Sequence, residues 1–132
     1  MAQSQGRVLG IGGFFLRAKD PGALAAWYRD NLGMVVTKAG EPDPDGAWTW
    51  VQESGDTVFS TFDADTDYWQ SERQVMLNLR VTGLEDLVAR LEAAGTPAER
   101  RAEWDHPDVG RFARVHDLEG NPIELWEPPS SS

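Results

Sequence analysis

Among the 132 residues there is no cysteine and there are only two histidines, His106 and His116. Thiolate nucleophiles, disulfides and thiolate metal sites are therefore excluded. The chemistry that remains gathers near the C-terminus, in VHDLEGNPIELWEP, Val115 to Pro128. That stretch reads as a strand, a tight polar turn and a returning strand, with the carboxylate of Glu124 inside the returning strand. A charge in an otherwise apolar strand needs a partner or a task. Closing the hairpin at DLEGN sets His116 across from Pro122, Arg114 across from Glu124, and Phe112 across from Trp126. Arg114 is then placed to neutralise Glu124, and His116 shares its face one diagonal step away. Glu124 could orient a ligand amine or hydroxyl, or with His116 perform acid–base catalysis. The two could instead hold a metal if His106 folded over as a third ligand. For His116, beside Asp117, the competing role is to pin the turn.

Side chains alternate across a strand, so parity sorts the remaining candidates by face. One face collects Phe14, Leu16, Leu77, Leu79, Val81, Ala113, Val115, Ile123 and Leu125, all apolar, and is expected to lie under helices. The other takes Gly13, Phe15 and Arg17, then Trp48, Trp50 and Gln52, then Phe59 and Thr61. It continues with Met76, Asn78 and Arg80, then Phe112, Arg114 and His116, and ends with Glu124 and Trp126. Aromatic rings interleaved with convergent polar groups are the composition of a small-molecule cleft. Tryptophan and arginine are also enriched at subunit interfaces, so this face suits an interface as well. The arginines favour a carboxylate, phosphate or enolate ligand; Arg17 and Arg80, at strand ends, would equally serve as partners for surface carboxylates.

The elements that position these faces occur twice. At one constant offset Leu16 matches Leu79, Arg17 matches Arg80, Leu24 matches Leu87 and Ala26 matches Ala89. Each half runs from a strand into an amphipathic helix. The first helix has Asp20 as N-cap, Pro21 at its first position and Gly33 as C-cap. In the second, Thr82 and Glu85 have capping-box spacing, Leu84, Leu87, Val88 and Leu91 form an apolar stripe, and Gly95 ends it. Strand-like segments follow at 34–38, 47–53 and 57–62, and in the second half near 97–100, at 111–116 and at 122–126. Strand, helix and three strands, performed twice, predicts an α+β fold of two βαβββ modules, about 7–63 and 74–128. A linker falls at about 64–73 and a frayed tail at 129–132, within one domain spanning 1–132. Trp27 and Tyr28 read as core, whereas Trp69 and Trp104 fall in loops as candidate lid or interface residues.

A formal net charge of −10 opposes nucleic acid and anionic membranes as partners. The N-terminal stretch is neither a secretory signal nor a spanning helix. A cytoplasmic location is the default expectation.

RAKDPGALAAWYRDNLGM, VMLNLRVTGLEDLVARLEAAG and GRFARVHDLEGNPIELWEP together resemble the vicinal oxygen chelate superfamily, which includes glyoxalase I, bleomycin-resistance proteins and extradiol dioxygenases. The resemblance implies paired modules in a curled mixed sheet around a cleft, helices on the outer face, and a homodimer. In metal-dependent members, cleft-facing His, Glu or Gln side chains hold a divalent cation. The corresponding positions here are Gly13, Phe59, Met76 and Glu124, and only Glu124 retains a suitable donor. The expectation is a small-molecule binding protein without the usual metal or other cofactor. The alternative is a metal-dependent lyase, isomerase or dioxygenase using Glu124 with His116 in a nonstandard site.

Overall fold

The computed structural model describes residues 5–130, so part of the tail expected at 129–132 lies outside the described residues. Along the chain come α1 (Pro21–Leu32), β1 (Leu77–Arg80), α2 (Leu84–Ala93), a short 3-10 turn (Ala102–Trp104), β2 (Arg111–His116) and β3 (Pro122–Glu127). The three strands form one mixed sheet in the order β1-β3-β2, with β1 parallel and β2 antiparallel to β3. An isolated bridge from Glu99 to Arg114 continues the sheet beyond β2, where the short strand near 97–100 was expected. The second half thus realises strand, helix, bridge, strand and strand.

α1 starts and stops where its signals predict. Asp20 accepts from the Ala23 amide at 3.0 Å, Pro21 opens the helix, and Gly33 closes it in the left-handed conformation at φ 67°. α2 departs from expectation. Its N-cap is Gly83 at φ 67°, without a side-chain cap, and no Thr82–Glu85 box forms. The carboxylate of Glu127, at the end of β3, accepts instead from the amides of Gly83 at 2.7 Å and Leu84 at 3.4 Å. A full negative charge at the positive end of the helix does the same work as a local cap. Glu85 is left to pair with Arg100 and Arg111.

Both helices bury their apolar stripes against one face of the sheet. Leu24 and Tyr28 of α1 join Leu84, Val88 and Leu91 of α2 over Ala113, Val115, Ile123 and Leu125. Leu16, Leu77, Leu79 and Val81 pack partly against this core, as their parity predicts, while Phe14 is exposed.

The first half differs from its expectation. Residues 13–17, 34–38, 47–53 and 57–62 form no strands, so the paired two-module sheet is not present among the described residues. A strand persists only where a neighbouring edge satisfies its amides and carbonyls, and among the described residues these segments pair with none, although the outer edge of β1 is open. Their apolar side chains stand in solvent, Phe15 at 92%, Val51 at 90% and Phe59 at 82% exposure. No helix among the described residues is long and apolar enough to cross a membrane.

Candidate functional site

The turn after β2 organises everything around the site. Asp117, buried, accepts at one carboxylate oxygen from the amides of Glu119 (2.9 Å) and Asn121 (3.0 Å). Its other oxygen accepts from Tyr28 Oη (2.6 Å) and Asn121 Nδ2 (2.8 Å). Burial, followed by this carboxylate, pushes the Tyr28 phenol far above its ordinary range. Glu119 receives the amides of Lys19 and Asp20 at the head of α1. From the other side Gln70 donates to the Gly120 carbonyl, and Arg73 donates to the Glu119 carbonyl and Asn121 Oδ1. One turn therefore fixes the hairpin register, seats α1 and anchors the 64–73 linker. Asp117, rather than His116, pins it.

The register is the one predicted: Arg114 opposite Glu124, Phe112 opposite Trp126 and His116 opposite Pro122. Phe112 and Trp126 stack with centroids 6.4 Å apart, and Trp126 Nε1 donates to the Val109 carbonyl.

Glu124 and Arg114 are both buried, yet they do not form the expected ion pair. Asn78 Nδ2, on β1, donates to Glu124 Oε1 at 2.7 Å, and Tyr68 Oη from the linker donates to Oε2. Burial and the Glu124 carboxylate push the Tyr68 phenol up to about 12, with Arg114 pulling weakly the other way. Arg114 instead turns onto the linker. Its Nη1 donates to the Tyr68 carbonyl at 2.8 Å, and the guanidinium lies 4.8 Å from the Tyr68 ring centroid and 5.2 Å from that of Trp104. Two aromatic faces partly compensate the buried cation, by roughly 0.5–2 kcal/mol each. Arg114 Nε and Nη2 are buried and have no hydrogen-bond partner among the described residues.

Beside Arg114 opens a cavity of about 500 Å³, walled by linker residues 65–67 and 69–71 and by Glu99 and His116; Tyr68 covers Glu124 and does not line it. His116 lines it from an exposed position. Phe62 stacks on Tyr68 and meets Trp69 edge to face, and of these rings only Trp69 lines the cavity.

The other residues placed on this face by parity do not converge here. Arg80 donates to the carbonyls of Glu53 (2.7 Å) and Asp56 (3.2 Å), tying down a loop rather than facing a ligand. Arg17, Phe15, Trp48, Trp50, Gln52 and Phe59 are exposed within the chain, and Met76 is half-buried. The first-half segments that carry most of them pair with no strand among the described residues. Tyr68 was missed by sequence reasoning, and Trp104 was seen only as a loop aromatic. Their one signal was aromatic residues in polar loops, DYWQ and AEWDH.

The residues present do not fit a resident cation. Among the described residues no three His, Asp or Glu side chains come together as a metal site. Both oxygens of Glu124 already accept hydrogen bonds. His106 does not fold over the rim; its Nδ1 accepts from the Asp108 amide in its own loop.

The profile of the glyoxalase-like domain family matches residues 13–126. No curated protein matches the sequence. Among solved structures the chain is similar to TnmS3, an antibiotic binding protein from Streptomyces sp. CB03234. That pair shares 25% identity over 80% of this chain and 84% of the other, with a TM-score of 0.46. It is also similar to TioX from Micromonospora sp. ML1, at 18% identity over 89% of this chain and 94% of the other, with a TM-score of 0.48.

Proposed function

The chain belongs to the glyoxalase-like domain family, within the vicinal oxygen chelate superfamily, and we propose that it binds a small organic molecule at Arg114 and Glu124 without a resident metal or other cofactor. One observation carries this reading: a buried guanidinium beside a cavity, with two donor nitrogens that no group among the described residues satisfies. Leaving such donors unpaired costs roughly 1–3 kcal/mol, a cost that a ligand bearing an acceptor removes on binding. The aromatic neighbour Trp104 adds stacking area beside the Arg114 guanidinium. The donor set does not support a metal-dependent lyase or dioxygenase, and a tyrosine held far above neutral pH is a poor proton donor.

The proposal includes a homodimer. Supporting it, the first half exposes Phe15, Trp48, Val51, Val58 and Phe59, large apolar side chains that chains of this composition seldom leave in water together. Segments of strand composition that pair with nothing among the described residues are suited to pairing with a second copy. Light scattering should then give twice the mass of 14.6 kDa.

The binding test is calorimetric titration of chelator-treated protein with aromatic carboxylates and with matched aromatic amines. Saturable binding of the acids alone is the expected result. Preference for the amines, or no binding of either series, would overturn the reading.

A further inference from the structure

Tyr68 is engaged by the site in the way a ligand would be. Its hydroxyl donates to the buried Glu124, its ring lies on the Arg114 guanidinium, and its carbonyl accepts from Arg114 Nη1. Resting on the binding reading above, we propose that Tyr68 is a displaceable stand-in for the ligand, and that the ligand is a planar aromatic carrying a hydroxyl next to a carbonyl or carboxylate.

The linker is built for such displacement. Its C-terminal end is fastened to the 117–121 turn by Gln70 and Arg73. Upstream, the bonds are local: Thr66 to the Asp63 carbonyl, and the Tyr68 amide to Thr66 Oγ1 at a long 3.3 Å. Tyr68 itself is half-buried, packs on the rings of Phe62, Trp69 and Trp104, and among the described residues its hydrogen bonds to the sheet are those with Glu124 and Arg114. The segment can therefore swing about residues 69–70 with its fastening intact, and it already walls the cavity that a ligand would enter.

The pair of partners specifies the ligand. Arg114 and Glu124 stand directly opposite on antiparallel strands, which puts their Cβ atoms about 4.5–5.5 Å apart. An incoming group must give a hydrogen to Glu124 and, one or two bonds away, offer an acceptor to Arg114. A phenol satisfies the first demand, as Tyr68 does now. Tyr68 leaves Arg114 Nε and Nη2 unanswered, and a neighbouring carboxylate or carbonyl would answer them in the paired geometry that guanidinium favours. Asn78 would continue to hold the second oxygen of Glu124.

The test compares calorimetric titrations of the full chain and its Tyr68→Ala variant with salicylate, its 3- and 4-hydroxy isomers, and benzoate. Removing the competitor raises the binding-competent fraction, so salicylate should bind Tyr68→Ala about tenfold or more tightly than wild type, given a charge-assisted bond to displace. Salicylate should also exceed its isomers and benzoate on the unaltered protein, a comparison that needs no variant. Aromatic acids that bind with equal strength whatever the hydroxyl position, or that lose affinity on Tyr68→Ala, would overturn this inference and leave the acid-binding site standing. Absence of binding by every acid to both proteins would overturn both.

Discussion

Tyr28→Phe removes a single hydroxyl from the contact that seats α1 on the turn between β2 and β3. Tyr28 is 3% exposed, and its hydroxyl lies 2.6 Å from Asp117, itself 6% exposed. A buried hydrogen bond to a charged acceptor is worth about 1.5–3 kcal/mol. The ring remains, so no cavity term is added, and Asn121 still donates to the same oxygen. The expected loss is therefore about 1.5–2.5 kcal/mol, the lower part of that range. Asp117→Ala should cost more, because it strands the buried phenol and also withdraws the acceptor for two turn amides. Urea unfolding at one fixed protein concentration reads both; with a slope of roughly 1–3 kcal/mol per molar for a small protein, Tyr28→Phe shifts the midpoint by about 1 M. In the Asp117→Ala background, the Tyr28→Phe change should cost little, since the hydroxyl then has no carboxylate to lose. A single-variant loss under about 0.5 kcal/mol, or strict additivity in the double variant, would refute this account of the turn.

Glu127→Ala should destabilise by about 0.5–2 kcal/mol through loss of the α2 cap. Arg111, then the Gly83 and Leu84 amides, hold this carboxylate below its ordinary 4.5. A depressed folded value means the contribution is present above pH 4.5 and disappears as the pH falls through the folded value, so unfolding midpoints of variant and wild type should converge under acid; a constant gap would contradict the assignment. Gly110→Ala should destabilise by more than about 1 kcal/mol, because Gly110 sits at φ 131° and a Cβ there would strike the Glu127 backbone. A wild-type thermal midpoint for that variant would be inconsistent with the packing of β3 against the 106–110 loop.

Local signals and strand parity carried much of this fold. Asp20, Pro21 and Gly33 bounded α1 because caps act over a few residues, and DLEGN set the register of Arg114 and Glu124 because a hairpin turn leaves no slack. What failed depended on partners distant in sequence. Glu127 reaches the start of α2 from the far end of β3, so the Thr82–Glu85 spacing, a local pattern, lost to it. Segments such as 47–53 have strand composition, but composition does not create the edge a strand requires. Opposite positions placed Arg114 next to Glu124; a long side chain then chose two rings and a carbonyl over the carboxylate. Tyr68 lies in a polar loop without periodicity, where no face can be assigned.

The central claim is that Glu124 and Arg114 receive an organic ligand rather than a cation. Its most direct test follows intrinsic tryptophan fluorescence of chelator-treated protein during titration with a hydroxylated aromatic acid, before and after addition of zinc, nickel, manganese or iron(II). A saturable change in the metal-free protein, unaltered by any of the four metals, is the expected result. Binding that appears only once a metal is restored would contradict it.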